Sequence, residues 1–169
     1  MSSELPSILK IVDLKRHSSF HKAVKVTALV IRFTEICHKK KKCWPVTNND
    51  INLAKNRLLR DIQQRHYQKE IQLLSAKEET AKRNPSIIMQ LGLYLADDDG
   101  LLHCRGRLEN SQLSMEAKNP ILLPKSSRLT ELIVLAAHVQ VLHNGVRETL
   151  TEVRQNYWIP QGRQLIKNY

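Results

Sequence analysis

The feature that most constrains the fold is a pair of helical hydrophobic patterns in residues 127–169, separated by Asn144-Gly145. In the first pattern, apolar residues recur every three or four positions, as on the buried stripe of a helix. They are Leu129, Leu132, Ile133, Leu135, Ala136 and Val139. The second pattern has the same spacing and comprises Val146, Leu150, Val153 and Tyr157. The sequence therefore predicts helices over 127–140 and 146–156, and a third short helix after Pro160.

Two histidines, His138 and His143, lie at the end of the first predicted helix. On one continuous helix, residues five positions apart point roughly 140° away from each other, so the two rings would not share a ligand. If the helix ends between them, as Asn144-Gly145 favours, the chain turns back and brings both imidazoles to one point. Two imidazoles are half of the four ligands that a structural zinc site requires. Spacing alone favours the simpler interpretation, a helix residue and a loop residue without metal.

The histidines belong to a longer series of motifs. In order along the chain, the series is His138-Val-Gln-Val-Leu-His143-Asn-Gly145-Val146, Thr149-Leu150, Tyr157-Trp158-Ile159-Pro160 and Gly162-Arg163. It resembles the zinc-binding domain of integrases from long-terminal-repeat retrotransposon polyproteins, most closely those of the Bel/Pao type. That family holds zinc with a His-His-Cys-Cys set, and the resemblance implies that His138 and His143 are metal ligands. The family's Cys-x-x-Cys pair has no counterpart here, so we expect the chain to stop just before it and the zinc site to be incomplete.

The resemblance extends over nearly the whole chain, through Asp99-Gly100-Leu101-Leu102 and Gly106-Arg107-Leu108. It implies three parts, which are a basic helical region between ribonuclease H and integrase, a hairpin and strand element, and an incomplete zinc-binding domain. Their bounds are 1–84, 85–125 and 126–169. The implied function is that of a non-catalytic N-terminal portion of an integrase, in which zinc stabilises a helical module that assists DNA binding and integrase self-association. Cys104 departs from the family pattern, which has a small or apolar residue there.

The pattern over residues 18–38 predicts the first helix, with Ser18 or Ser19 as its cap. Its apolar residues lie on more than one side. Such a helix needs cover from neighbours, which can lie outside this chain.

A second helix is predicted over residues 48–74, with a break near Tyr67. It begins after Thr47, which together with Asp50 resembles a capping box. Its predicted buried face holds Ile51, Ala54, Leu58 and Ile62, and its predicted outer face holds Arg57, Arg60, Asp61 and Gln64.

After Pro85 the helical period gives way to alternating leucines, which predicts a β-hairpin turning at Asp97-Asp98-Asp99-Gly100. A carboxylate cluster for metal is the alternative for the three aspartates, but an Asp-rich turn is favoured. Pro120-Ile-Leu-Leu-Pro124 predicts a third strand, which its prolines restrict to an edge. The predicted fold class is mainly α with a small β-hairpin or three-strand element and a C-terminal three-helix bundle of the zinc-binding type.

The net charge of +11 is concentrated in the first half of the chain. Residues 1–90 hold 18 Lys and Arg against 8 Asp and Glu, and they include the run Lys39, Lys40, Lys41 and Lys42. Such an excess attracts polyanions, so this run is the predicted nucleic-acid-binding site, with element DNA as the partner. The alternatives are a metal-free helical interaction module from a decayed or domesticated element, and an RNA-binding linker acting through the lysine run.

The three cysteines, Cys37, Cys43 and Cys104, are odd in number and irregularly spaced, which argues against a disulfide framework. Cys37 and Cys43 are conceivable zinc donors beside the two histidines, but their spacing fits no common zinc knuckle. We therefore predict ordinary reduced thiols.

The composition also narrows the class of protein. No stretch reaches the roughly 18 uninterrupted apolar residues of a membrane span, and the N-terminus lacks a signal-peptide core. We expect an intracellular protein without a membrane partner, nuclear if it is part of a working integrase. Catalytic constellations and phosphate-cradling glycine loops are absent from the sequence, and the integrase reaction belongs to a separate metal-binding core. The chain is therefore predicted to be neither an enzyme nor a receptor for a small-molecule substrate.

Overall fold

The computed structural model describes residues 7–38, 45–75, 87–105 and 115–168. These residues are mainly helical and carry one small four-stranded sheet, which confirms the predicted fold class. The helices are α1 (Phe20–Cys37), α2 (Asn48–His66), α3 (Gln68–Ser75), α4 (Ile87–Leu91), α5 (Met115–Lys118), α6 (Arg128–Gln140), α7 (Gly145–Arg154) and α8 (Gly162–Ile166). The strands are β1 (Leu93–Leu95), β2 (Leu102–Cys104), β3 (Ile121–Leu122) and β4 (Tyr157–Trp158).

The chain divides into two compact units, Met1–Asp61 and Ile62–Tyr169, and the division falls inside α2. The sheet of the second unit takes strands from both 85–125 and 126–169. The three-part division at residues 84 and 125 stays a prediction.

In the first unit, the predicted capping box at the start of α2 is confirmed. The backbone N–H and the hydroxyl of Thr47 each donate to Asp50 Oδ2 at 2.8 Å. Arg32 of α1 approaches the other oxygen of this carboxylate, with Nη1 3.5 Å from Asp50 Oδ1. Because buried charges need partners, the buried Arg32–Asp50 pair fixes α1 against the start of α2.

The prediction that Asp61 lies on the outer face of α2 is wrong, because Asp61 is buried. Its Oδ2 accepts hydrogen bonds from the Ser7 hydroxyl at 2.9 Å and from the backbone N–H of Ile8 at 2.5 Å. Arg57 Nε lies 3.5 Å from its other oxygen. The carboxylate thus caps the short 3-10 helix Ile8–Lys10. The sequence of this N-terminal segment shows no period that would predict its contact with Asp61.

Helix α1 begins after Ser19, as predicted, but the side chain of Ser19 makes no capping hydrogen bond. The helix buries Ala23, Val24 and Ala28, while Val26, Leu29 and Phe33 are exposed. The prediction of an α1 that is apolar on more than one side is therefore confirmed.

In the second unit, the predicted hairpin is confirmed as an antiparallel pair in which Leu93 faces Cys104 and Leu95 faces Leu102. Asp99 closes the turn by accepting the backbone N–H of Leu101 at 2.8 Å, so the aspartates serve the turn as predicted. Leu91 lies in α4 rather than at the start of the strand.

The prediction of β3 as an edge strand is wrong, because β3 lies between β2 and β4 in the sheet. Its prolines flank the strand, and Pro120 still contributes its carbonyl oxygen, which accepts the N–H of Cys104 at 2.9 Å. On the other side β3 pairs in parallel with β4, with Leu123 N–H donating to Trp158 O at 2.8 Å. Tyr157 and Trp158 thus form a fourth strand rather than the end of a helical pattern.

The break predicted near Tyr67 is confirmed, since α2 ends at His66 and α3 begins at Gln68. Just before the break, the buried Gln63 side chain joins α2 to the sheet. Its amide nitrogen donates to Leu102 O and Leu122 O at 2.9 and 2.8 Å, and its oxygen accepts the N–H of Leu102 at 2.8 Å. One side chain therefore binds two adjacent strands that lead to the C-terminal helices.

Helices α6, α7 and α8 have nearly the predicted bounds, and α7 packs against both α6 and α8. Leu129, Leu132 and Ile133 are buried as predicted, whereas Val139 is 59% exposed at the end of α6. In the described residues no single helix is long and apolar enough to cross a membrane; α6 and α7 reach that length only together, with a bend of 116° between them.

Candidate metal centre

The two histidines meet because α6 ends in a tight left-handed reversal. The N–H of His143 donates to His138 O at 3.0 Å and the N–H of Leu142 donates to Val139 O at 3.0 Å, the two bonds of a Schellman motif. The reversal places the ring centroids of His138 and His143 4.6 Å apart, with the ring planes at 76°. The predicted convergence of the two imidazoles is therefore present.

The reversal uses two residues besides the Asn144-Gly145 pair that the sequence pointed to. Leu142 and His143 take the left-handed conformation themselves, with φ of 53° and 59°, and Gly145 follows with φ of 87°. For residues with a Cβ, this conformation costs roughly 1–2 kcal/mol each, and glycine is the usual choice. Strain of this kind is retained where surrounding structure fixes it, and it often marks a functional turn.

A third side chain, Thr149 of α7, holds the His138 ring. His138 Nδ1 lies 3.0 Å from Thr149 Oγ1, and the Thr149 hydroxyl donates to Gly145 O at 2.8 Å. Thr149 is fully buried, His138 is half-buried and His143 is exposed. Sequence reasoning gave Thr149 no role, because it follows His138 by eleven residues and no spacing rule connects them.

The spacing of the two rings is close to that of two histidines bound to one zinc ion. Two imidazoles that share a tetrahedral zinc ion, with bonds of about 2.0–2.1 Å, have ring centres roughly 5 Å apart. The observed 4.6 Å is close to that separation, so the pair fits as half of a zinc site. Within the described ranges, no group of three or more His, Cys, Asp or Glu is placed to hold a metal ion.

Cys104 is not an available thiolate donor in the second unit. It is buried in a cluster with Tyr67, Leu93, Leu102 and Leu122. Burial raises the pKa of the Cys104 thiol to about 12, so near neutral pH the metal-free chain holds Cys104 as the neutral thiol. Cys37 is exposed in the first unit, and Cys43 lies outside the described residues.

Positive charge is also gathered on the C-terminal helices. An open groove of about 440 Å³ between α7 and α8 is lined by Val146, Arg147, Leu150, Arg163 and Lys167. The three cations are exposed, the two apolar residues are half-buried, and none of the described residues that line the groove is acidic. The predicted nucleic-acid site, Lys39 to Lys42, lies outside the described residues. The groove was not predicted from the sequence because Arg147 comes close to Arg163 and Lys167 only when α8 folds against α7.

A helix, a left-handed turn with two imidazoles, a second helix and a short third helix together define a candidate zinc-binding module. Residues 125–169 match the family described as the integrase zinc binding domain, a match over just over a quarter of the chain. No match to an integrase catalytic core accompanies it. No curated protein and no solved structure shows significant similarity to the chain.

Proposed function

We propose that the chain is the non-catalytic N-terminal portion of a retrotransposon integrase, of the Bel/Pao type, with residues 126–169 as its zinc-binding module. The observation that carries this proposal is the 4.6 Å separation of the His138 and His143 rings, within a segment that matches the integrase zinc binding domain. In this function His138 and His143 supply two zinc ligands. The other two are the thiolates of the family's Cys-x-x-Cys pair, following the third helix.

Zinc in such a site supplies structure rather than redox chemistry, by tying ligands from separate segments to one point. The chain's own residues prepare that point. The left-handed turn brings the imidazoles together, and Thr149 orients the His138 ring. Residues 1–84 and 85–125 precede the module as the basic and hairpin parts, and the whole assists DNA binding and integrase self-association in the nucleus.

The metal function is tested by titrating cobalt(II), a spectroscopic substitute for zinc, into this chain and into a form extended to include the Cys-x-x-Cys pair. We expect tight one-to-one binding with a tetrahedral absorption spectrum in the extended form only. His138→Ala and His143→Ala should each weaken binding on the order of a hundredfold or more, because a structural site needs all its ligands. The control is His66→Ala, which replaces an exposed histidine of α2. Tight binding that survives both substitutions would contradict the proposal.

The groove between α7 and α8 favours a second candidate function, nucleic-acid binding by a module that does not depend on metal. Arg147, Arg163 and Lys167 line this groove together with half-buried Val146 and Leu150, and none of the described lining residues carries a carboxylate. Cations in such an arrangement neutralise backbone phosphates, which releases counterions and makes binding salt-dependent. The lysine run, Lys39 to Lys42, is the other proposed contact.

The contributions of the groove and of the lysine run to DNA binding are distinguished by measuring the fluorescence anisotropy of a labelled DNA duplex at several salt concentrations. The triple variant Arg147→Gln, Arg163→Gln and Lys167→Gln should flatten the plot of log affinity against log salt by about two to three, at roughly 0.9 per phosphate. Replacing Lys39 to Lys42 by alanine should flatten it by up to about four. The control triple, Lys22→Gln, Lys25→Gln and Lys69→Gln, removes as much charge from exposed helical positions. Equal slopes for the groove and control triples would exclude the groove.

A further inference from the structure

We propose that Thr149 is a positioning residue that fixes the Nδ1–H tautomer of His138, so that His138 presents Nε2 as its metal-binding atom. This inference rests on the proposed metal function only for its last step. The tautomer itself is a property of the metal-free chain.

The single proton of the Thr149 hydroxyl decides how Thr149 and His138 bond to each other. A hydroxyl has one proton to donate and two lone pairs to accept with. The proton is used on Gly145 O, at 2.8 Å. Thr149 Oγ1 therefore meets His138 Nδ1, 3.0 Å away, as an acceptor. An acceptor at that distance requires a proton on Nδ1, and in a neutral imidazole the lone pair then lies on Nε2.

The opposite tautomer is possible only if the hydroxyl turns away from its own helix. Thr149 would then donate to an unprotonated Nδ1 and lose the bond to Gly145 O. One hydrogen bond replaces two, and a net hydrogen bond corresponds to a population ratio on the order of fivefold to tenfold. The two hydrogen bonds of Thr149 therefore favour the Nδ1–H form of neutral His138.

The position of Thr149 makes this preference rigid. Its side chain is fully buried between α6 and α7, and the bond back to Gly145 O fixes the hydroxyl direction within α7. The ring orientation of His138 is thus set by a neighbouring helix, in the manner of the outer groups that orient metal-binding histidines. His143, by contrast, is exposed and gains its orientation from the turn.

The test uses the full 169-residue chain and two matched variants. Thr149→Ser keeps the hydroxyl, and Thr149→Val keeps the branched shape but removes it. Long-range ¹H–¹⁵N spectra of the metal-free proteins at mildly alkaline pH report which ring nitrogen of His138 carries the proton. We expect Nδ1–H in the wild-type chain and in Thr149→Ser, and a shift towards Nε2–H in Thr149→Val. Wild-type spectra with the proton mainly on Nε2 would overturn the inference without any variant.

Metal affinity gives a second readout in the form that carries the Cys-x-x-Cys pair. Loss of an outer group of this kind lowers metal affinity by about tenfold to a hundredfold. We expect that loss for Thr149→Val and recovery to near the wild-type value for Thr149→Ser. Unchanged affinity and tautomer in Thr149→Val would overturn the role of Thr149 while leaving the two histidines as ligands. If the wild-type form binds no cobalt(II), the metal function fails, and the spectra still decide the tautomer.

Discussion

The sheet and the α6–α7 turn each carry two side chains of the types that bind zinc, but they use them in opposite ways. On β2, His103 has both ring nitrogens occupied, with Nδ1 2.7 Å from Asn119 O and Nε2 3.0 Å from Asp99 Oδ2. Its neighbour Cys104 is buried in the core. In the turn, His138 uses one ring nitrogen on Thr149. The two pairs differ in the atoms that remain available to a metal ion. Of the two, only the pair in the turn has a ring nitrogen that makes no hydrogen bond to another described residue.

Residue type alone is therefore a poor guide to a metal site. A histidine between two acceptors, like His103, donates through both nitrogens when it is protonated and closes the hairpin turn. A buried thiol in an apolar cluster stays protonated and packs as a small apolar side chain. The stronger indicator is a histidine with one nitrogen held by a hydrogen bond and the other uncommitted.

The largest expected effect concerns the two described cysteines. Burial raises the pKa of Cys104 from 9.0 to about 12, so its thiolate fraction at pH 8 is lower by about a thousandfold than that of an ordinary thiol. Iodoacetamide should therefore modify exposed Cys37 readily and leave Cys104 intact in the folded chain, as peptide mass mapping will show. In denaturant both should react. Similar rates in the folded chain would mean that Cys104 is an available donor and that the comparison fails.

The same burial gives a pH dependence with a defined sign. The folded chain holds the Cys104 proton more tightly than the unfolded chain does, so this contribution to stability is complete below pH 9. It is lost as pH rises from 9.0 towards about 12. Tyr67, whose pKa burial raises from 10.0 to about 12, acts in the same direction. A free energy of unfolding that does not fall over this window would contradict the burial of both groups.

A smaller effect distinguishes the contributions of His103 and His138 to the free energy of unfolding in the absence of metal. His103→Ala removes a contact with a carboxylate and one with a carbonyl, so it should lower the free energy of unfolding by about 1.5–3 kcal/mol. His138→Ala removes one neutral hydrogen bond and should cost about 0.5–1.5 kcal/mol. Urea unfolding with a chelator present measures both. If His138→Ala proved the more costly, His138 would be the structural histidine and the comparison would reverse.

The smallest effect lies in the turn itself. Leu142 is 87% exposed and has φ of 53°, so Leu142→Gly relieves backbone strain and loses little packing. We expect the free energy of unfolding to rise by up to about 1 kcal/mol. Val139→Gly is the matched control in the last turn of α6, where glycine should instead lower it by about 1 kcal/mol. A loss of stability in Leu142→Gly would show that the left-handed turn stores no strain.

Much of the helical structure could be predicted because the apolar residues of a helix recur at a short and regular spacing in the sequence. The apolar spacing of residues 127–140 and 146–156 predicted α6 and α7 almost to their ends, and Thr47 with Asp50 predicted the start of α2. The sheet was predicted less well. The two-residue strands β3 and β4 are too short for a period of their own, and their pairing depends on residues far apart in sequence.

The candidate site shows the same limit. Spacing and resemblance identified His138 and His143, and the Asn-Gly pair correctly predicted that the chain turns back. The turn also uses Leu142 and His143, because the Schellman hydrogen bonds and the packing of α7 on α6 impose a conformation that neither residue favours. Thr149 and Arg163 stand in the quoted motifs, but the roles of Thr149 and of the groove cations were not predicted, since each depends on a contact between two helices. The buried Asp61 was misplaced for a related reason, because Ser7 and Ile8, which donate to its carboxylate, are more than fifty residues away.

Because β3 and β4 pair in parallel, the backbone leaves the sheet at Leu122 and rejoins it at Tyr157 after passing through both helices. The segment between them is a long loop closed at its base, and the histidine turn, near the middle of the segment, forms its tip. Local opening of the tip and rupture of the base break different hydrogen bonds, so they have different free energies. Amide protons in the tip should exchange with solvent through brief local opening. The amide protons of Ile121 and Leu123 should exchange more slowly, because they are released only when β3 and β4 separate. Small zinc modules often remain unfolded without their ion. Here the β3–β4 pairing closes the base of the loop without metal, so an ion bound by the histidines would stabilise only its tip.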